Sequence, residues 1–256
     1  MRGFDGLLKR LIMRNGFKRI VDVGGGANPA LSLEYILAND LEYTILDISQ
    51  AELQKAPTYH RKLVQDITAK HFSPFDQFDF VFTKMVAEHI KDAAQMHMNI
   101  HSLLRNGGMA VHLFPTLYAL PFVVNRVLPE KLTSLLLDSF APRNKHQHAK
   151  FPAYYSWCTG PTTGSLRRLK SLGYEIVEYK GLFGHEGYYR RIPPLLKLHR
   201  YMTQILLRHP SPYLTSYAYV ILRKTDNLLA KRRPESRAGT VPQERWVGMS
   251  GPKEPV

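Results

Sequence analysis

The sequence predicts one α/β domain built on a mostly parallel sheet flanked by helices. Three observations carry that expectation. Short apolar, β-branched runs recur along the chain with helical stretches between them; the first run ends in a triple-glycine turn; and the pattern changes after residue 114, where two long inserted segments interrupt it. Strands separated by helices imply parallel neighbours joined by right-handed crossovers.

The first run, Arg19-Ile20-Val21-Asp22-Val23, stops at Gly24-Gly25-Gly26-Ala27-Asn28-Pro29. Glycines at a strand end admit backbone conformations closed to other residues and let a ligand approach the main chain. Pro29 suits the first turn of a helix expected over 29–39, because its missing N–H is not needed there. Further strands are expected at 43–48, 62–65, 78–83 and 109–114, with helices at 50–54 and 91–105, the last stopped by Asn106-Gly107-Gly108. A helix at 162–172, halted by Gly173, precedes strands at 174–180 and 216–223. The organisation is then an amphipathic leading helix (1–18), a domain over 19–224 with insertions at 115–161 and 182–214, and a basic tail (225–256) whose lack of periodicity reads as disorder.

With 256 residues, 44% apolar and 22% charged, the chain can bury a sizeable core. No apolar run approaches the roughly 20 residues needed to span a bilayer. The N-terminus lacks the uninterrupted apolar stretch of a secretion signal, so the expected location is cytoplasmic. Cys158 is the only cysteine, which excludes an internal disulfide or a cysteine-built zinc site. The net charge of +14 is uneven: residues 1–114 carry 13 Lys/Arg against 12 Asp/Glu, whereas 115–222 carry 14 against 5. The later half therefore sets up a positive field that favours an anionic partner.

The glycine turn reads as a nucleotide-type cofactor pocket at the carboxyl end of the first strand. Asp47 ends the second strand about 20 residues on, where a carboxylate accepts hydrogen bonds from ribose hydroxyls. That suits NAD and S-adenosylmethionine equally. Asp66 and Ile67 end the third strand, a position for a carboxylate on an adenine amino group with an apolar neighbour on the ring. Pro29 stands where the dinucleotide fingerprint requires its third glycine, which disfavours a bound pyrophosphate.

The pieces Val21-Asp22-Val23-Gly24-Gly25-Gly26-Ala27-Asn28-Pro29, Leu46-Asp47-Ile48, Gln65-Asp66-Ile67, Phe78-Asp79-Phe80-Val81-Phe82, Glu88-His89-Ile90 and Leu103-Leu104-Arg105-Asn106-Gly107-Gly108 occur in that order. In them the chain resembles the class I S-adenosylmethionine-dependent methyltransferases. The resemblance spans residues 19–114 and departs from the usual motif at Asn28, where that family has a third glycine. It implies a Rossmann-like methyltransferase sheet with a terminal antiparallel strand, and S-adenosyl-L-methionine as cofactor. It further implies that Gly24 and Gly26 line the methionine part, that Asp22 fixes the turn and reaches the amino group, that Asp47 holds the ribose and Asp66 with Ile67 the adenine, and that Gly25 and Ile48 belong to the same cofactor-binding set. Lys84 and Met85 would line the pocket near the reactive methyl.

His89 and His112 are the candidate general bases, since an imidazole titrating near pH 6.5 takes a proton at neutral pH; for both, a packed structural histidine is the alternative. The aromatic, basic stretches around Tyr154, Tyr155 and Trp157 and around His185 are the candidate substrate wall, together forming a lid from the two insertions. His146 and His148 have no carboxylate or cysteine at ligand spacing and read as a solvated, anion-contacting loop, so no metal is expected. The expected acceptor is an oxygen or nitrogen of a glycan, lipid-linked sugar or other small metabolite, anionic or amphipathic. RNA is the less favoured partner. The segment after the fourth strand lacks the Asn/Asp-Pro-Pro-Tyr/Phe tetrapeptide of amino-directed base methylation, and one cysteine denies the paired-cysteine chemistry of pyrimidine methylation. Ribose methylation survives both absences, and a non-catalytic binding module is a further rival. Residues 193–208 form an apolar face edged by Lys197, Arg200 and Arg208. Docking onto the domain is the first expectation; contact with the inner membrane surface, together with residues 5–14, is the second.

Overall fold

The structure is a computed structural model that describes residues 2–72, 77–117, 152–184, 186–189 and 193–225. Most of the first insertion, the His146/His148 loop, His185 and the basic tail lie outside the described residues. Seven strands form one sheet in the order β3-β2-β1-β4-β5-β7-β6. Here β1 is Arg19–Val23, β2 Glu42–Asp47, β3 Arg61–Val64, β4 Phe78–Lys84, β5 Leu104–Pro115, β6 Tyr174–Leu182 and β7 Tyr217–Lys224. The first five pair in parallel, and β7 runs antiparallel between β5 and β6. The expected sheet is therefore present, with its reversed strand inserted between β5 and β6.

Helices cover both faces. α1 (Arg2–Asn15) buries Phe4, Leu8 and Ile12 against Ile20, Ile45, Phe80 and Val111, a layer completed by α2 (Leu33–Ala38) and α3 (Gln50–Lys55). α4 (Ala93–Leu103) and α5 (Thr163–Ser171) pack Met96, Ile100, Leu103 and Leu169 against Val21, Val81, Ala110, Val220 and Leu222 on the other face. Strands buried on both faces need apolar residues at nearly every position, which is why they read as continuous runs. α6 (Pro193–Arg208) follows a 3₁₀ turn at Glu186–Tyr189.

Two boundaries differ from expectation. The helix after the glycine turn begins at Leu33, not at Pro29, with the Ser32 hydroxyl accepting from the Tyr35 N–H. Residues 24–32 are held instead by Asp22, whose Oδ2 accepts the Ala30 N–H at 3.0 Å. Asn106-Gly107-Gly108 does not stop a helix. α4 ends at Leu103, and these residues form a bulge inside β5, where the pairing slips from Phe78↔Leu104 to Phe80↔Met109. Gly107 has φ +77°, and a Cβ on Gly108 would meet the Arg105 carbonyl oxygen at 2.9 Å.

Candidate functional site

Where β1, β2, β3 and β4 end, the chain leaves a cleft of ≈ 920 Å³. Its walls include Gly24, Asp47, Ile48, Asp66, Ile67, Met85, His89 and Tyr154, drawn from segments distant in sequence. Parallel topology explains the gathering, because every parallel strand delivers its carboxyl end to the same edge.

At the β1 end, Gly24 has φ +76° and its N–H donates to the Leu46 carbonyl at 2.7 Å. A Cβ there would come within 2.4 Å of Val86 Cγ2. Gly26 has φ +41°, and its Cβ would stand 3.1 Å from Asp47 Oδ2. Of the three glycines Gly24 lines the cleft, with bare backbone, whereas Gly26 is not part of the cleft wall and lies against Asp47 and Glu52. Gly25 faces away from the cleft, since a Cβ would strike Asp22 Oδ2 at 2.8 Å. Asp22 does not line the cleft. It is buried beneath the turn, where Oδ2 also accepts from the Tyr43 hydroxyl at 2.5 Å, and burial pushes its pKa up to about 6.

At the β2 end, Asp47 Oδ1 accepts the Ser49 N–H at 2.9 Å, while Oδ2 faces the glycine turn. Ile48 beside it is 63% exposed, an apolar side chain opening onto the cleft. Asp66 Oδ1 accepts from both the Thr68 N–H and the Thr68 hydroxyl at 2.7 Å, so this carboxylate shapes its own loop as well as lining the cleft. Asn99 of α4 anchors that loop by donating to the Ile67 carbonyl (2.7 Å) and the Ala69 carbonyl (3.0 Å). Sequence reading missed Asn99; its one signal is a polar residue sharing a helix face with Met96, Ile100 and Leu103, which α4 buries.

Beyond β4, Met85 takes φ +59° at the cleft wall and its N–H donates to the Leu113 carbonyl at 2.8 Å. Lys84 turns the other way. It is absent from the cleft wall and its Nζ pairs with Asp5 of α1 at 3.1 Å, because successive strand residues point to opposite faces. His89 lines the cleft, its Nδ1 2.9 Å from the Pro152 carbonyl oxygen. A carbonyl only accepts, so in the neutral ring Nδ1 carries the proton and Nε2 is the basic nitrogen. That Nε2 lies 3.8 Å from Glu88 Oε1. Glu88 is buried, its Oε2 has no hydrogen-bond partner, and burial pushes its pKa up to about 8.

His112 is placed away from the cleft. It sits within β5, three residues short of the strand end, fully buried, with Nδ1 3.0 Å from Thr83 Oγ1 and its ring edge-on to His97 at 4.9 Å. Burial holds its pKa well below the ordinary value. The expected substrate wall also divides. The Tyr154 and Tyr155 N–H groups both donate to the Glu88 carbonyl, at 2.7 and 3.0 Å. Only Tyr154 faces the cleft, whereas Tyr155, at φ +52°, is buried in the core. Trp157 stacks on His97 at 5.7 Å and borders a separate cavity of ≈ 20 Å³. Cys158 is buried, as a packed side chain would be.

Residues 21–110 match the family model described as "Methyltransferase domain". Among solved structures, the fold is similar to that of an S-adenosylmethionine-dependent methyltransferase from Mesorhizobium loti, at 17% identity and TM-score 0.50, over 80% of this chain and 90% of that one. It is likewise similar to an S-adenosylmethionine-dependent methyltransferase from Clostridium acetobutylicum, at 11% identity and TM-score 0.52, over 87% of this chain and 91% of that one. No curated protein matches the chain in sequence. The match over residues 21–110 is thus to a methyltransferase domain, and the fold is the one seen in S-adenosylmethionine-dependent methyltransferases. Both of those similar proteins are named for their dependence on S-adenosylmethionine. The cleft fits that molecule in chemistry, with bare backbone at Gly24, a strand-end carboxylate at Asp47 and exposed apolar surface at Ile48.

Proposed function

We propose that the chain methylates an oxygen or nitrogen of a glycan, a lipid-linked sugar or another small metabolite. Gly24 and its neighbouring main chain hold the methionine part of the cofactor, Asp47 the ribose, and Asp66 with Ile48 and Ile67 the adenine. When bound, S-adenosylmethionine supplies a methyl group already activated on a sulfonium. The protein has therefore to align the acceptor, exclude water and receive the acceptor's proton.

The observation that carries this reading is His89. It shares the cleft wall with Gly24 and Asp47, and the Pro152 carbonyl fixes its ring so that Nε2 is the basic nitrogen. A positioned imidazole takes the proton of a hydroxyl as its oxygen bonds the methyl carbon, or that of an ammonium beforehand, which frees the nitrogen lone pair to attack; the electron pair of the broken S–C bond stays on sulfur. Tyr154, 42% exposed on the same wall, offers an aromatic face of the kind that stacks on a sugar or other amphipathic acceptor.

The test is incubation with methyl-labelled S-adenosylmethionine and separated glycan, polar-lipid, small-metabolite and RNA fractions. Label is expected in one of the first three. His89→Gln should lower kcat by roughly 100-fold or more and leave the Kd for S-adenosylhomocysteine unchanged. Label in RNA alone overturns the acceptor class, and an unaltered kcat in His89→Gln removes the histidine from the chemistry.

A further inference from the structure

Two helices of this chain are amphipathic, and the structure treats them differently. α1 has its apolar face covered by the sheet: Phe4, Leu8 and Ile12 are buried in the core. It is not available to any other surface, which corrects the expectation for residues 5–14. α6 contains no buried residue. Among the described residues it rests mainly on the 3₁₀ turn before it, with the Tyr189 and His199 rings 4.8 Å apart and Arg200 paired with Glu186 at 3.0 Å. Its inner side, Leu195, Leu196, Leu206 and Leu207, is half-buried. A second apolar row faces outward: Leu198 (55% exposed), Tyr201 (63%), Met202 and Ile205. Positions i, i+3, i+4 and i+7 form one continuous stripe on a helix. Tyr213 and Leu214, also exposed, follow directly after the helix.

We propose that this stripe docks the enzyme on an anionic lipid bilayer. Charge identifies the occupant. α6 carries Lys197, Arg200 and Arg208 and no acidic residue, and the whole insertion 182–214 holds five Lys/Arg against one Asp/Glu. At 3.6 residues per turn, Lys197 and Arg208 form a row along one border of the stripe. Apolar side chains beside a cationic row, with tyrosines among them, match the layering of a headgroup interface, where the apolar part enters the acyl boundary and the cations meet phosphates. A second copy of this chain is a poorer occupant, because a symmetric contact through the stripe sets like-charged rows close together. The insertion leaves from Leu182 of β6 and returns at Tyr217 of β7, which pairs with Pro115 at the carboxyl end of β5. α6 therefore belongs to the sheet edge that bears the cleft, and docking brings that edge to the lipid surface. This inference is independent of the acceptor's identity, since vesicle binding needs neither substrate nor turnover.

Co-sedimentation of the full chain with phosphatidylglycerol-containing vesicles and with pure phosphatidylcholine vesicles tests it. Binding is expected to the first, much less to the second, and to weaken with added salt. The double variant Leu198→Glu/Ile205→Glu should lose roughly tenfold or more of that binding while binding S-adenosylhomocysteine as the parent does. Should that variant also lose the cofactor, Lys197→Gln/Arg208→Gln decides: weaker vesicle binding with cofactor binding kept supports the proposal. No binding to anionic vesicles, equal binding to both vesicle types, or variants that bind like the parent overturn it. So does a parent that is dimeric in sedimentation and becomes monomeric in the Leu198→Glu/Ile205→Glu variant.

Discussion

Gly24 illustrates how little room a single residue has at this cleft. Its φ of +76° is costly for any side chain, and an added methyl would collide with Val86 at 2.4 Å. Gly24→Ala should cost about 1–3 kcal/mol of stability, by the usual penalty for a strained backbone. It should weaken S-adenosylhomocysteine binding at least tenfold or so; denaturant unfolding and calorimetry measure the two separately. Asp47 separates structure from binding more cleanly. Asp47→Asn keeps an oxygen for the Ser49 N–H but removes the charge that strengthens a bond to ribose hydroxyls. We expect a Kd raised roughly tenfold with the unfolding midpoint almost unmoved.

At the scale of elements, the β1–α2 connection depends on one buried carboxylate. Asp22 Oδ2 receives both the Ala30 N–H and the Tyr43 hydroxyl. Asp22→Ala takes the acceptor from the buried Tyr43 hydroxyl and the half-buried Ala30 N–H and should cost about 2–5 kcal/mol, whereas Tyr43→Phe leaves Asp22 its bond from Ala30 and should cost nearer 1 kcal/mol. Chemical denaturation of the two variants checks the ordering, and an Asp22→Ala protein as stable as Tyr43→Phe would refute it. This carboxylate also explains the late start of α2: sequence rules place Pro29 in a helix, but the Ala30 N–H is already engaged across the turn. The bulge in β5 has a similar origin. Asn106-Gly107-Gly108 carries every mark of a helix stop, and only the pairing of Phe78 and Phe80 with Leu104 and Met109 shows that the chain has already entered the sheet. β1, β2 and β4, by contrast, were legible to within a residue, because burial on both faces leaves an unbroken apolar signature.

Across the whole molecule, buried titratable groups pull stability in opposite directions with pH. His97 is fully enclosed, its Nδ1 has no partner, and burial lowers its pKa to about 4. The unfolded chain therefore binds a proton that the folded one refuses between about pH 6.5 and pH 4, and stability falls as pH drops through that window. His97→Phe keeps the ring against Trp157 and should gain on the parent by roughly 3 kcal/mol from pH 6.5 to pH 4. Glu88 has the reverse sign. With its pKa raised from 4.5 to about 8, the folded state holds an extra proton, and stability falls as pH rises from 4.5 through 8. Glu88→Gln should gain on the parent across that rise and show no advantage at pH 4. Thermal unfolding of both variants against the parent over this range reads each contribution. A His97→Phe difference independent of pH, or a Glu88→Gln advantage largest in acid, would contradict the assignments.

From the amino-acid order alone followed the sheet, its reversed strand, the glycine turn and the strand-end carboxylates Asp47 and Asp66. These rest on local periodicity and on the common direction of parallel strand ends, both of which are written along the chain. Only the tertiary structure decided that His112 lies sealed beside His97, that Lys84 turns to Asp5, that Tyr154 and not Tyr155 reaches the cleft, and that α1 is covered while α6 is not. Strand alternation tells which face a side chain takes, and helical spacing tells which residues share a stripe. Neither tells what stands on the other side, because depth and neighbours are set by packing between segments that the sequence keeps far apart.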